Sequence, residues 1–332
     1  MREMKISAAM CTFNGAEFLR AQLESILAQT RIPDEIVICD DGSSDETRPM
    51  LTDFAAESPV PISLKFNQQN LGSVKNFEKA ITLCNGDVIA LCDQDDVWRH
   101  DKLESIEHTF RQTPAAGLVF SDAEIVDEDL TSLNQRMWDL VGFDAHKRKL
   151  VRSGRALEVL IPGWTVTGAT MAFRSDFVKL CLPIPDDIAM IHDGWIALTI
   201  AAVAEVVAIE EPLIKYRQHE RQQIGAPART QNAAESAGRM QALETAFRRR
   251  NSSADLHKIL ARLEERLLTQ GAGYNTRDAL SLIGDYSFHL NVRANLPRNR
   301  LNRLPRILRE LVTRRYHEYA NGFKSAAKDL VS

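Results

Sequence analysis

Apolar residues in the first hundred positions fall into short unbroken runs separated by stretches of helical period. Lys5 to Cys11, Glu35 to Cys39, Ile62 to Phe66 and Val88 to Leu91 have strand length. Unbroken runs of that kind predict strands buried on both faces. Between the first two, Phe18/Leu19, Gln22/Leu23 and Ile26/Leu27 recur at three- and four-residue steps and predict a helix to about Gln29. Ser43 and Glu46 have capping-box spacing for a second helix. A third is expected over Val74 to Cys84, after the turn Asn70-Leu71-Gly72. Four strands alternating with three helices predict a parallel, doubly wound α/β sheet.

The pattern continues less regularly. A helix is expected over Asp101 to Arg111, a strand over Gly117 to Ser121 and a turn at Asp127-Glu128-Asp129. Leu133 to Pro162 is mixed and reads as a helical excursion over one side of the sheet's functional edge. Gly163 to Phe173 reads as a loop feeding a strand, with Gly168 allowing close backbone approach. Ile191-His192-Asp193-Gly194-Trp195 opens an apolar helix, and Val206 to Ile209 and Leu213 to Tyr216 read as two short strands. Trp98 and Trp164 are taken as packing residues. Ala226 to Ala237 has the composition of a linker, which places a boundary near Arg229 and divides the chain into 1–228 and 229–332. Met240 to Arg248, Leu256 to Leu268, Ala279 to Leu290 and Leu304 to Tyr319 are helical by period, so the second part is expected to be a helical extension.

Composition narrows the classes. The 332 residues are 44% hydrophobic and 26% charged, ordinary for a globular enzyme. A formal net charge of −4 gives no argument for nucleic acid as partner. Leu290 to Ser332 differs, with ten Lys/Arg against three acids. Such a tail could rest on an anionic membrane surface, or it could be a helical cap whose exposed faces are basic. Both readings stay open, as does the oligomeric state. Five cysteines without a C-x-x-C pair predict free thiols. With no signal-peptide pattern at Met1 to Lys5, and no run near the ~20 apolar residues of a membrane span, a cytoplasmic protein is expected.

The chemistry gathers at the strand ends. Thr12 closes the first run, Asp40 and Asp41 the second, and Asp93, Asp95 and Asp96 the fourth. Open α/β sheets bind ligands at the carboxyl ends of their strands. Three carboxylates within four positions repel one another unless a cation or a set of donors answers them. Carboxylate and phosphate oxygens together suit Mg²⁺ or Mn²⁺. Alone, Asp93-Gln94-Asp95 is also compatible with a solvated turn and Asp40-Asp41 with a helix cap. Their coincidence at one sheet edge favours a site.

Thr12-Phe13-Asn14-Gly15, Asp40-Asp41-Gly42-Ser43-Ser44-Asp45, Asn70-Leu71-Gly72 and Asp93-Gln94-Asp95-Asp96 resemble the family 2 glycosyltransferases with the GT-A fold. Thr167-Gly168-Ala169-Thr170, His192-Asp193-Gly194-Trp195 and Tyr216-Arg217-Gln218-His219 resemble the bacterial rhamnosyltransferase-like branch, which builds O-antigen, capsule and related polysaccharides. The resemblance spans about residues 4 to 225 and implies a Rossmann-like, mostly parallel sheet flanked by helices. It implies an inverting, metal-dependent transfer from a nucleoside diphosphate sugar to a glycan or undecaprenyl-linked acceptor, on the inner face of the plasma membrane or free in the cytoplasm. Thr12, Asn14, Asp40, Asp41, Asn70, Gly72 and Gly168 would bind the donor. Asp93 and Asp95 would form the Asp-x-Asp pair, with Asp95 and His219 on the metal. Asp193 would be the catalytic base and Trp195 a platform for a sugar ring. The Gln-x-x-Arg-Trp segment of processive relatives is missing after Asp193, which implies single additions.

Two other readings compete. A sugar nucleotidyltransferase would need a basic, Gly-rich loop after the first strand, and Cys11 to Gly15 has one Gly and no Lys or Arg. A catalytically silent nucleotide- or sugar-binding protein would be expected to lack Asp95 or Asp193, and both are present.

Overall fold

The computed structural model describes residues 3–163, 165–219, 222 and 252–331. The expected linker at Ala226 to Ala237, the boundary near Arg229, the helix at Met240 to Arg248 and Trp164 lie outside them. The chain divides into two compact units, Met1–Asp186 with Met190–Arg250, and Asp187–Ala189 with Asn251–Ser332.

In the first unit, β1 (Ile6–Thr12), β2 (Glu35–Asp40), β3 (Ile62–Phe66) and β4 (Val88–Cys92) are parallel. They are connected by α1 (Ala16–Leu27), α2 (Thr47–Glu57) and α3 (Ser73–Leu83). All five residues of β4 are buried, as its unbroken apolar run requires. In space the order is β3-β2-β1-β4. The chain steps outward twice, then returns across β1 to add β4. At that reversal the loops after β1 and β4 diverge and leave a crevice, the place where open α/β sheets bind ligands. Met10 pairs with Cys92, so the next residues along each strand, Thr12 and Asp93 among them, stand at the crevice mouth.

Past β4 the sheet is mixed. It continues through β5 (Val97–Trp98), β6 (Ala116–Val126), β7 (Ser132–Arg136), β8 (Met171–Arg174) and β9 (Glu205–Arg217), in the order β4-β8-β6-β9-β5 with β7 on β6. Strand β8 is antiparallel to both neighbours, whereas β6 and β9 are parallel. The helices are α4 (Lys102–Gln112), the short α5 (Met137–Leu140), α6 (Ala145–Arg152), α7 (Ala156–Leu160) and α8 (Val178–Cys181), and α9 (His192–Ala201).

Three local expectations are corrected. The two short strands expected at 206–209 and 213–216 are one strand, β9, because register shifts against Ser121-Asp122-Ala123 of β6 absorb the Glu210-Glu211-Pro212 interruption. Strand β6 runs past Ser121, so Asp122 lies within it and accepts from Ala123 N, Trp138 N and Arg136 Nε at 2.8–3.0 Å. The Ser43/Glu46 capping box does not form. Ser43 Oγ donates to Asp40, and Glu46 precedes α2 without a side-chain cap bond.

The second unit holds helices Ser253–Gln270, Arg277–Ala294, Arg300–Val312, Arg315–Tyr319 and Phe323–Val331. The Leu256/Leu260/Leu263/Leu267 stripe of the first is buried. A single helix from Leu304 to Tyr319 is not observed, because Arg314 takes a left-handed conformation (φ 63°) and breaks it. No helix among the described residues is long and apolar enough to cross a membrane.

Candidate active site

The crevice between β1 and β4 opens into a cavity of about 360 Å³ within the first unit. Thr12, Asp41, Asn70, Asp93, Asp95, Gly168 and Asp193 all line it, drawn from six different loops or element ends. No Lys or Arg is among its described lining residues.

Three of the anticipated donor contacts, Asp40, Asn14 and Gly72, do not line this space. Asp40 is fully buried behind the lining and is saturated. It accepts from Thr12 Oγ1 at 3.0 Å, Ser43 N at 3.1 Å, Ser43 Oγ and Arg48 Nε at 2.6 Å. Its part is to fold the loop after β2, which corrects the expectation that it contacts a ligand. Asn14, at φ 48°, receives Ser44 N on its Oδ1 and gives its own N–H to Ser43 Oγ, both at 2.8 Å. It ties the loops after β1 and β2 together and does not line the cavity. Asp41 does line it, while accepting from Leu71 N (2.8 Å), Gly72 N (2.9 Å) and Asn67 Nδ2 (2.8 Å). Gly72 (φ 81°) makes the left-handed turn into α3 from behind the lining, and Asn70 Oδ1 receives its N–H at 3.0 Å.

The acidic strand end carries the strongest electrostatics. Burial pushes Asp93 up to about 7, with the charges of Asp95 and Asp193 adding to the rise and Lys102 opposing it. Asp96 is fully buried, its Oδ1 accepts from Arg217 N at 3.1 Å, and burial holds it well above the usual carboxylate range. Asp95 stays at the cavity wall and meets His219 Nε2 at 2.8 Å across 124 positions of sequence. Arg217 reinforces that closure by donating from Nε to the Asp95 carbonyl at 2.7 Å and lying 4.6 Å over Phe18. His219 packs against the same ring, with centroids 4.6 Å apart.

Gly168 and Asp193 meet on the opposite wall. Asp193 sits in the first turn of α9, whose capping residue is Ile191, so the acid is not the cap. Its oxygens accept from Gly168 N at 3.0 Å and Gly194 N at 2.5 Å. Burial nonetheless lifts it to about 6, because those two bonds only partly offset the loss of water. A Cβ on Gly168 would stand 3.0 Å from His192 Nε2 and 3.5 Å from Asp193 Cβ, so any larger residue would press on the His192 ring by a few tenths of an ångström.

Trp195 is corrected. It is fully buried, its Nε1 donates to Cys181 O at 2.8 Å, and it belongs to the core. Residues two apart on a helix point about 200° from each other, so with Asp193 on the cavity, Trp195 must face inward. His192, which flanks Asp193 and was given no role of its own from the sequence, is the residue that reaches this space. His192 lines the cavity, is 5% exposed, and stacks on Phe77 with centroids 4.0 Å apart. Neither ring nitrogen has a hydrogen-bond partner, and burial drives its pKa down to about 3, so the imidazole is neutral. Adjacency to Asp193 was the available signal.

Among the described residues no three His, Cys, Asp or Glu side chains stand together at metal-binding geometry. The donor chemistry still fits a hard or borderline cation, since Asp93, Asp95 and His219 offer carboxylate oxygens and an imidazole nitrogen. The raised Asp93 marks a place where added positive charge would be favourable.

Strand order, crevice and acidic strand end together define an α/β protein of the GT-A type. The profile of glycosyl transferase family 2 matches residues 7–180, just over half of the chain, and the protein belongs to that family. It is 29% identical over 219 residues to an uncharacterised glycosyltransferase of Nostoc, a match covering 65% of each chain. The chain therefore spans just under two thirds of that relative. It is 27% identical over 232 residues to the dTDP-rhamnosyl transferase RfbG of Shigella flexneri, covering 65% of this chain and 74% of RfbG. Among solved structures, residues 1–349 of TarS from S. aureus, in complex with UDP-GlcNAc, superpose with a TM-score of 0.57 at 12% identity. That match covers 98% of this chain and 91% of TarS. At such identity the likeness is one of fold.

Proposed function

We propose that this protein is an inverting, metal-dependent glycosyltransferase that adds single sugars from a nucleoside diphosphate donor to a glycan or undecaprenyl-linked acceptor in cell-surface polysaccharide synthesis. The observation that carries the reading is the cavity itself. Four aspartates, Asp41, Asp93, Asp95 and Asp193, line a space of diphosphate-sugar size whose described walls hold no Lys or Arg. A diphosphate is repelled from such a space unless a cation accompanies it. Asp95 and His219, with Asp93 beside them, would hold Mn²⁺ or Mg²⁺. When bound, that ion supplies charge neutralisation for the leaving diphosphate.

The other groups then have defined tasks. Asp41, held by three donors, faces the cavity near Thr12 and Asn70, where it would accept a pyrimidine N–H. This favours UDP- or dTDP-sugars, and the likeness to RfbG makes dTDP-rhamnose a candidate. Asp193, ionised above about pH 6 and oriented by Gly168 N and Gly194 N, would take the proton from the acceptor hydroxyl as it attacks the anomeric carbon. The neutral His192 would hydrogen-bond a sugar hydroxyl, giving its unpartnered nitrogens the partners they lack. The absence of Lys and Arg from the described lining weakens the nucleotidyltransferase reading, since a triphosphate needs a cationic cradle.

Isothermal titration of UDP, dTDP, GDP and CMP, with and without Mn²⁺, tests the reading on wild type and Asp95→Ala. UDP or dTDP binding that needs Mn²⁺ and is lost in the variant is expected. Binding of no nucleotide under any condition would overturn the donor site and leave a silent protein with an acidic turn.

A further inference from the structure

The helix Arg300–Val312 in the second unit has two apolar faces. One is internal: Ile307 clusters with Tyr316 and Ala326, and Glu310 pairs with the buried His289 at 2.7 Å. The other lies open. Leu301, Leu304, Leu308 and Val312 are 79%, 42%, 49% and 82% exposed. Their steps of three, four and four residues place them in one stripe about 80° wide. Arg300 and Arg309 fall about 100° and 80° to either side of Leu301, so a guanidinium borders the stripe along each edge. Arg300 and Arg306 donate to the carbonyls of Val331 and Asn295, bonds that hold the side chains without neutralising them. Leu290 to Ser332 as a whole carries ten basic residues against three acidic ones.

We propose that this helix docks in the plane of a bilayer surface rich in anionic phospholipid. The leucine stripe enters the boundary between headgroups and acyl chains, and the flanking arginines lie at the level of the phosphates. An exposed apolar stripe bordered by cations is the arrangement that interfacial helices use. Charge argues against a second copy of this chain as occupant. Two such stripes face to face would set rows of arginine against each other without the anions a lipid surface provides. The inference stands on the geometry of this helix and does not depend on the transferase reading, so vesicle binding and nucleotide binding can fail independently.

Flotation of the full-length protein with phosphatidylglycerol/phosphatidylethanolamine vesicles, compared with phosphatidylcholine vesicles, tests it. At least tenfold preference for the anionic vesicles is expected, weakening as salt rises. Leu301→Glu/Leu308→Glu should lower binding at least tenfold with an unchanged circular dichroism spectrum, since both side chains are solvent-exposed. In Leu308→Trp, the emission of the introduced indole, taken as the difference from wild type, should shift to the blue on adding anionic vesicles. Three results would overturn the proposal: no preference for anionic vesicles, binding undiminished in the double variant, or a difference emission that anionic vesicles leave unshifted. A dimer in sedimentation velocity that the double variant dissociates, without vesicle binding, would also overturn it and assign the stripe to a second copy.

Discussion

Asp193 is held with its carboxylate out of water, and Asp193→Asn removes that penalty together with the proposed base. The rise from 3.8 to about 6 in the folded state corresponds, at 1.36 kcal/mol per pH unit, to about 3 kcal/mol. Its sign follows from linkage. As pH rises the unfolded chain releases this proton first, near 4, while the folded chain keeps it to about 6. The stability associated with the protonated acid is therefore complete below about pH 4 and lost above about pH 6. Asn does not titrate and escapes the loss. Its amide NH₂ cannot accept, however, so one of Gly168 N and Gly194 N is left without a partner, at about 1–3 kcal/mol. The variant should be less stable than wild type by about that amount at pH 4. By pH 7.5 it should be level, or more stable by up to about 2 kcal/mol. Removing the Asp193 charge also lowers Asp93, which acts in the same direction. Urea unfolding of metal- and nucleotide-free protein at half-unit pH steps measures the difference directly. Turnover should fall about 10²–10⁴-fold, the range for a lost general base. A stability difference flat from pH 4 to 7.5 would refute the burial argument, and a variant retaining more than about a tenth of wild-type kcat would refute the base.

Other substitutions separate ligand contacts from packing. His192→Phe keeps a ring on Phe77 while deleting two unpartnered nitrogens. Its thermal midpoint should be unchanged or higher, with kcat/KM down about tenfold or more, and full activity would show that the imidazole touches no substrate. Trp195→Phe loses the bond to Cys181 O and should lower unfolding free energy by about 1–3 kcal/mol. Donor and acceptor KM should stay within about twofold, and a larger change in KM would restore the sugar-platform role. Asp41→Ala removes the acceptor of Leu71 N and one of the two acceptors of Gly72 N and of Asn67 Nδ2. Calorimetry should then show lost UDP or dTDP binding although Asp93 and Asp95 remain, and retained binding would mean that the acid serves only the loop.

Much of the site was legible before any coordinates because its parts are tied to strand ends. A buried strand announces itself by an unbroken apolar run, and the polar residue that stops the run stands at the edge of the sheet. Thr12, Asp41 and Asp93 could be located in that way. Gly168 was legible for a related reason, since a lone glycine before a strand signals close backbone approach, and here it lies against Asp193. Features decided by phase or by partner were not legible. Whether Asp40 or Asp41 faces the cavity depends on the pleat and on Arg48 and Ser43 reaching back to Asp40. The join of two expected strands into β9 depends on bulges in β9 where it pairs with β6, a strand some ninety positions earlier.

The order of apolar runs and the acids that end them were set by sequence alone, because strand length, helical period and chain reversal are local properties. Only the tertiary structure decided that β4 returns beside β1 and opens the crevice, that His219 meets Asp95 directly at 2.8 Å, and that Trp195 turns into the core while His192 looks into the cavity. Each of these is a choice of neighbour. A neighbour distant in sequence is selected by burial and hydrogen-bond satisfaction over the whole fold, which no spacing within a motif encodes.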